Sequence, residues 1–214
     1  GLGLSPFLIL ATDSVIIIIM NTVLQHYGGP KEGDLLITCA TIVQSYMMLI
    51  TGPMLGISSG TQAILSYNYG AKATRRVRKA ERCILLLCLC FTSLMFLLSR
   101  IVPQYFIGIF TRDPGLTDLC IWGIHIFTLM IVPLSFQYVF VDGFTALGRS
   151  KTALFLSLFR KGDYVLFTMI LPIFYGARSA FYAQPLADGI AAVMSTVAFL
   201  LIFKKHLQKQ EVSL

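Results

Sequence analysis

Apolar residues run along the chain in long blocks, interrupted at near-regular intervals by short polar or basic clusters. A helix needs roughly 20 apolar residues to cross ~30 Å of hydrocarbon. The blocks divide into six such spans, near residues 4–27, 35–66, 80–102, 117–146, 152–175 and 179–203, leaving 207–214 as a polar tail. This pattern predicts an all-α integral membrane protein whose residues 1–206 form one six-transmembrane-helix bundle. The most telling interruption is 61–82, TQAILSYNYGAKATRRVRKAER, a strongly basic stretch between two apolar runs. It has the character of a cytoplasmic loop.

Composition agrees, since 56% of residues are hydrophobic and only 13% charged, with a mean hydropathy of +0.77. The net charge of +7 does not argue for nucleic acid, because the basic residues punctuate apolar spans instead of covering one face of a soluble fold. Lys and Arg in short loops are retained on the cytoplasmic side. With the first helix running outward, that side receives Lys72, Arg75, Arg76, Arg78, Lys79, Arg82, Arg149, Lys151, Lys204, Lys205 and Lys209. The other side receives Lys31, Arg100, Arg112 and Arg178, while Arg160 and Lys161 fall inside the fifth span. The bias predicts a multi-pass protein of the cell inner (plasma) membrane with both ends cytoplasmic. No span resembles a cleaved signal, and a first residue of Gly1 in place of Met leads us to expect sequence upstream.

Conventional catalytic chemistry finds little support. Cys39, Cys83, Cys88, Cys90 and Cys120 fall in or beside spans with no C-x-x-C spacing, and His26, His125 and His206 are scattered, so neither a catalytic set nor a metal site is expected. Gly143 to Ser150 is one residue from a phosphate loop, but Arg149 replaces the required Lys and the segment ends a transmembrane helix. ATP binding is not expected, nor any other cofactor.

The informative residues are therefore the polar ones within spans, because a charge in hydrocarbon costs ~2.5–3.5 kcal/mol even on the milder insertion scale. In the second span Gln44, Thr51, Ser58 and Gln62 keep within roughly 40° of one face, a stripe suited to lining a cavity. The same helix carries Gly52, Gly56 and Gly60 four apart around Pro53, a ridge for close helix packing. The fourth span repeats the theme with Thr128, Ser135 and Asp142, and offers Gln137 and Tyr138 as further cavity candidates. Asp13 sits ~14 Å into the first helix, bordering a polar face of Ser14, Asn21 and Gln25. Asp163 is equally deep in the fifth helix, three residues after Arg160, which suits an intrahelical salt bridge. Asp188 lies between Pro185 and Gly189, where a loosened helix would let it line a cavity. A midplane carboxylate is the usual device for coupling transport to H⁺ or Na⁺. Asp13, with no basic partner on its own helix, leads the coupling candidates over Asp142, Asp163 and Asp188.

At this point a resemblance becomes specific. Gly3-Leu-Ser-Pro6, Asn21-x-x-Leu24-x-x-Tyr27-Gly-Gly29, Gly60-Thr-Gln62, Ser66-Tyr-Asn-Tyr-Gly-Ala71, Arg76-Val77, Ala146-Leu-Gly148 and Pro185-Leu-Ala-Asp188 together resemble the second six-helix lobe of the multidrug and toxic compound extrusion (MATE) transporters. The resemblance implies one lobe of a twelve-helix, V-shaped antiporter that exports organic cations or amphiphilic xenobiotics in exchange for H⁺ or Na⁺. It also implies an acid at about the depth of Asp13 in some members. The chain departs from the family in Pro30-Lys-Glu-Gly33, an apparent insertion in an outer loop, and in Ala63, where Pro commonly follows the Gln. Alternating access needs two rocking bundles, so a partner is expected: a first lobe, or another six-helix unit that could be a second copy. Two other readings stay open, a lipid-linked saccharide flippase of the same superfamily and a non-transporting membrane subunit. A membrane enzyme lacks its nucleophile, base and metal set.

Overall fold

The chain is helical because apolar blocks with no water to satisfy their backbone must satisfy it internally. The computed structural model describes residues 4–203, with side chains described for 12–202; the tail 207–214, His206 and the C-terminal lysines lie outside the described residues. No strand occurs among the described residues. The helices are α1 (Leu4–Gly60), α2 (Gln62–Gly70), α3 (Thr74–Ile101), α4 (Pro103–Ile107), α5 (Pro114–Phe127), α6 (Ile131–Ala146), α7 (Ser150–Tyr175) and α8 (Ala183–Ala198). Short 3-10 turns at Thr128–Met130 and Ala177–Tyr182 continue α5 into α6 and lead into α8.

With 57 residues, α1 would reach ~85 Å if straight, well over twice the hydrocarbon depth. It is instead a helical hairpin. Gly29 takes φ 66°, a conformation glycine adopts without penalty, and Pro30 restarts the helix where its missing N–H is harmless. The turn is tight: a Cβ on Gly28 would stand 2.8 Å from Gly33 Cα, and one on Gly33 3.1 Å from Gln25 Cα. Pro30-Lys-Glu-Gly33 forms the first turn of the returning helix, where an open loop was expected. With Ala63 in place of Pro, the chain is not straightened here. The helix still breaks at Thr61, whose hydroxyl turns back to Ile57 O (2.8 Å) and Ser58 O (2.9 Å).

Among the described residues, four helical stretches are long and apolar enough to cross a membrane. The stretch containing the α1 hairpin supplies two crossings, and α7 adds another. Its 26 residues span ~39 Å, but Arg160, Lys161 and Asp163 interrupt its apolarity near the middle. The crossings are thus six. Packing centres on α6, which meets α3, α7 and α8, while the α1 hairpin meets α5 and α7. One apolar cluster is built around Leu24, Leu36, Val43, Ile124 and Phe181, a second around Met54, Leu65, Ile84 and Phe144. Facing outward are Met48, Leu86, Leu97, Phe174 and Val193, a girdle that acyl chains solvate and water would not.

The glycine ridge has no packing partner among the described residues of this chain. A Cβ on Gly52, Gly56 or Gly60 would meet nothing within 4 Å, so these residues face away from the bundle. The buried line of that helix is Met54 and Ser58, because Ser58 is drawn inward by a carboxylate on α6. Close packing falls instead to Gly123 on α5, where an added Cβ would stand 2.8 Å from Val43 and 3.2 Å from Phe181.

Candidate functional site

Two cavities that share polar lining residues open beside α7. The larger, about 800 Å³, is bounded by Thr51 and Gln62 of the hairpin and its continuation, Tyr138 and Asp142 of α6, and Arg160 and Lys161 of α7. The smaller, about 190 Å³, takes in Gln44, Tyr164 and Gln184. Asp13, Arg160 and Lys161 line both.

Adjacent residues on a helix point ~100° apart, so Arg160 and Lys161 reach different neighbours. Lys161 Nζ lies 2.6 Å from Asp13 Oδ1, joining α7 to the first arm of α1. This pair is lopsided, since the Lys161 side chain is 8% exposed and Asp13 53%; the carboxylate is the solvent-facing member. Arg160 Nη1 lies 3.0 Å from Asp188 Oδ1, joining α7 to α8. Asp188, fully buried, also accepts from Gln184 Nε2 at 2.7 Å. The Arg160 guanidinium stands 5.6 Å from the centre of the Tyr138 ring, within cation–π range.

Two expectations about acids are corrected here. Asp163 is not the partner of Arg160, because the guanidinium bonds across to Asp188; Asp163 Oδ2 is buried without a hydrogen-bond partner, and the residue lines neither cavity. Asp188 is no cavity-lining acid in a loosened helix. It lies behind Arg160, and α8 runs unbroken past Gly189 because Pro185 occupies the first turn, where a missing N–H costs nothing.

Asp142 and the hairpin stripe meet. Ser58 Oγ donates to Asp142 Oδ2 at 2.5 Å and Gln62 Nε2 to Oδ1 at 2.8 Å, so both oxygens are held by residues four apart on one helical face. Thr51 donates back to Met47 O at 3.0 Å and presents its side chain to the larger cavity; Gln44 faces the smaller. Gln137 touches the larger cavity, but its amide is engaged in the bundle: Nε2 donates to Leu156 O at 3.3 Å and Oε1 accepts from Ser195. Asn21 is half-buried and lines neither cavity. Thr128 and Ser135 also point away from the cavities, paired with Ser99 (3.1 Å) and Thr92 (2.8 Å) of α3.

The Asp13–Lys161 and Arg160–Asp188 pairs and the burial of Glu81 add to the residues legible in the sequence. The pairs depend on interhelical register. Glu81 had a detectable signal: Glu81, Cys88, Thr92 and Ser99 fall within ~20° of one line on a helix, a polar stripe hidden when 61–82 is taken as a basic loop. Among the described residues no group of three or more His, Cys, Asp or Glu is placed to hold a metal.

A bundle of apolar crossings with charges paired between helices beside its cavities is a construction that helical membrane transporters use. The chain belongs to the MatE family, whose model matches residues 7–171. Its fold closely follows solved MATE structures. One is a multidrug resistance MATE family transporter of the MOP superfamily in outward-facing conformation, with TM-score 0.85 and 17% identity over 98% of this chain and 46% of that one. The inward-facing form of a multidrug resistance MATE family transporter gives 0.83 at 17% identity, over 98% and 47%. A MOP superfamily transporter from Pyrococcus furiosus, described as having a binding pocket of reverse polarity, gives 0.83 at 17% identity, over 98% and 46%. No curated protein sequence matches. The chain thus spans about half the length of these structures.

Proposed function

We propose that this chain is one lobe of a cation-coupled exporter of organic cations or amphiphilic compounds, exchanging them for H⁺ or Na⁺ across the cell inner (plasma) membrane. The second six-helix unit completes the transport path, and both ends of this chain are cytoplasmic. The observation that carries the reading is the Asp13–Lys161 pair, 2.6 Å apart, with the acid turned to the cavity.

The half-exposed Asp13 carboxylate can turn to another partner because water solvates it, while the Lys161 ammonium, 8% exposed, is the member that bears the cost of separation. A proton or Na⁺ on Asp13 removes its attraction for Lys161, and a cationic substrate can compete for the same carboxylate. Such competition for one acid is the simplest physical basis of exchange. Tyr138, Leu55 and Val141 give the larger cavity apolar wall for the hydrophobic part of an amphiphile. Asp142, the other acid of that cavity, is held by two donors and is less free to exchange.

The flippase reading needs uncompensated cations to hold phosphates. Here Arg160 and Lys161 each carry an acidic partner, which favours the drug-exporter reading. Asp13→Asn in the complete transporter should reduce cation-driven dye efflux to background while the protein remains folded. Efflux at the parental rate would remove Asp13 from the coupling step.

A further inference from the structure

The α3–α6 contact is a ladder of polar rungs. Ser99 pairs with Thr128 at 3.1 Å, and Thr92 with Ser135 at 2.8 Å. Toward the start of α3 the next polar residue on that face is Glu81, eleven residues from Thr92, while the next on α6 is Asp142, seven after Ser135. The two carboxyl groups do not form a further rung. Asp142 turns both oxygens to Ser58 and Gln62, while Glu81 is 3% exposed and neither of its carboxyl oxygens has a hydrogen-bond partner. Glu81 rests on backbone: a Cβ on Gly143 would stand 2.6 Å from its Oε1, so glycine is what leaves room for the group. Val77 and Ile84, one turn to either side, are buried in the second apolar cluster.

The charges around Glu81 do not offset a negative one. Asp142, on α6, is the group close enough to act on it, and it is of like sign. Tyr69, on α2, packs against the same apolar cluster. On α3 itself Arg78 is half-buried and Arg82 is exposed; Arg149 follows α6. An ionised carboxylate in this seat would be desolvated without a compensating partner, and one bound proton replaces that cost with the smaller one of burying a neutral carboxyl. A hard metal cation would need a shell of several oxygen ligands, and among the described residues no such cluster of acids surrounds Glu81.

We propose that Glu81 is a proton-binding site distinct from the Asp13–Lys161 pair, occupied while α3 and α6 are packed and emptied when their contact opens to water. The packed state binds this proton and the opened state releases it. Protonation therefore stabilises the α3–α6 contact, fully at low pH and less as pH rises.

The test is infrared spectroscopy of the full chain in lipid at neutral pH, read at the C=O stretch of protonated carboxyl groups, alongside thermal unfolding as a function of pH. A band present in the parent and in Asp13→Asn but lost in Glu81→Gln is expected. Because Gln mimics the neutral acid, Glu81→Gln should unfold no earlier than the parent and show a weaker decline in stability as pH rises. An unchanged band in Glu81→Gln would overturn the proposal. So would earlier unfolding of Glu81→Gln at neutral pH, which would mean that an ionised Glu81 holds a counter-charge. Neither readout involves transport, so their failure is distinguishable from failure of the export reading.

Discussion

Arg160→Met is expected to destabilise the bundle by about 3–5 kcal/mol, the usual consequence of removing one member of a buried ion pair. Asp188 is fully buried in α8, and without Arg160 it keeps only the Gln184 amide as partner. The carboxylate would then be charged and uncompensated where α6, α7 and α8 pack. Unfolding in detergent, followed by helical circular dichroism against denaturant, measures the loss. Arg160→Met combined with Asp188→Leu should recover most of it, because removing both charges also removes the stranded one. Lys161→Met should cost far less, since Asp13 is 53% exposed and water can solvate it. A single Arg160→Met that unfolds with the parent would show that the pair does not hold α7 to α8.

The second large effect is expected at the Asp142 clamp. Ser58→Ala should cost about 1.5–3 kcal/mol, the range for a hydrogen bond to a charged group. Gln62→Ala should cost less, although both donate to the same carboxylate. The difference lies in water: Ser58 is 1% exposed, whereas Gln62 lines the larger cavity, where solvent can replace the lost donor. The same denaturation measurement ranks the two. Equal losses would mean that the cavity around Gln62 is dry.

The all-helical membrane class was legible because acyl chains impose the length and apolarity of every crossing, and both survive in a single sequence. The hairpin stripe was legible for the same reason: a periodicity of ~3.6 residues puts Ser58 and Gln62 on one face, and a shared carboxylate uses that face. Partner choice was not. From spacing alone Arg160 has an acid three residues away in Asp163, yet the structure gives it to Asp188, 28 residues distant. Only the register of α7 against α8 decides between them. The glycine ridge is unused within this chain, since small residues four apart show that a helix can be approached closely without showing from which side. Glu81 was obscured by its neighbours, because Arg75, Arg76, Arg78, Lys79 and Arg82 give the local sequence a solvated character that one buried face of α3 contradicts.

Exchange of an organic cation for a coupling ion through this lobe's cavity can be observed directly. Vesicles carrying the complete transporter, with no H⁺ or Na⁺ gradient imposed, should be given an organic cation on one side while internal pH and Na⁺ are followed by fluorescent reporters. Reciprocal coupling requires that inward movement of the organic cation drive H⁺ or Na⁺ outward, and that Asp13→Asn abolish this counterflow. Entry of the organic cation with neither ion moving would contradict the account.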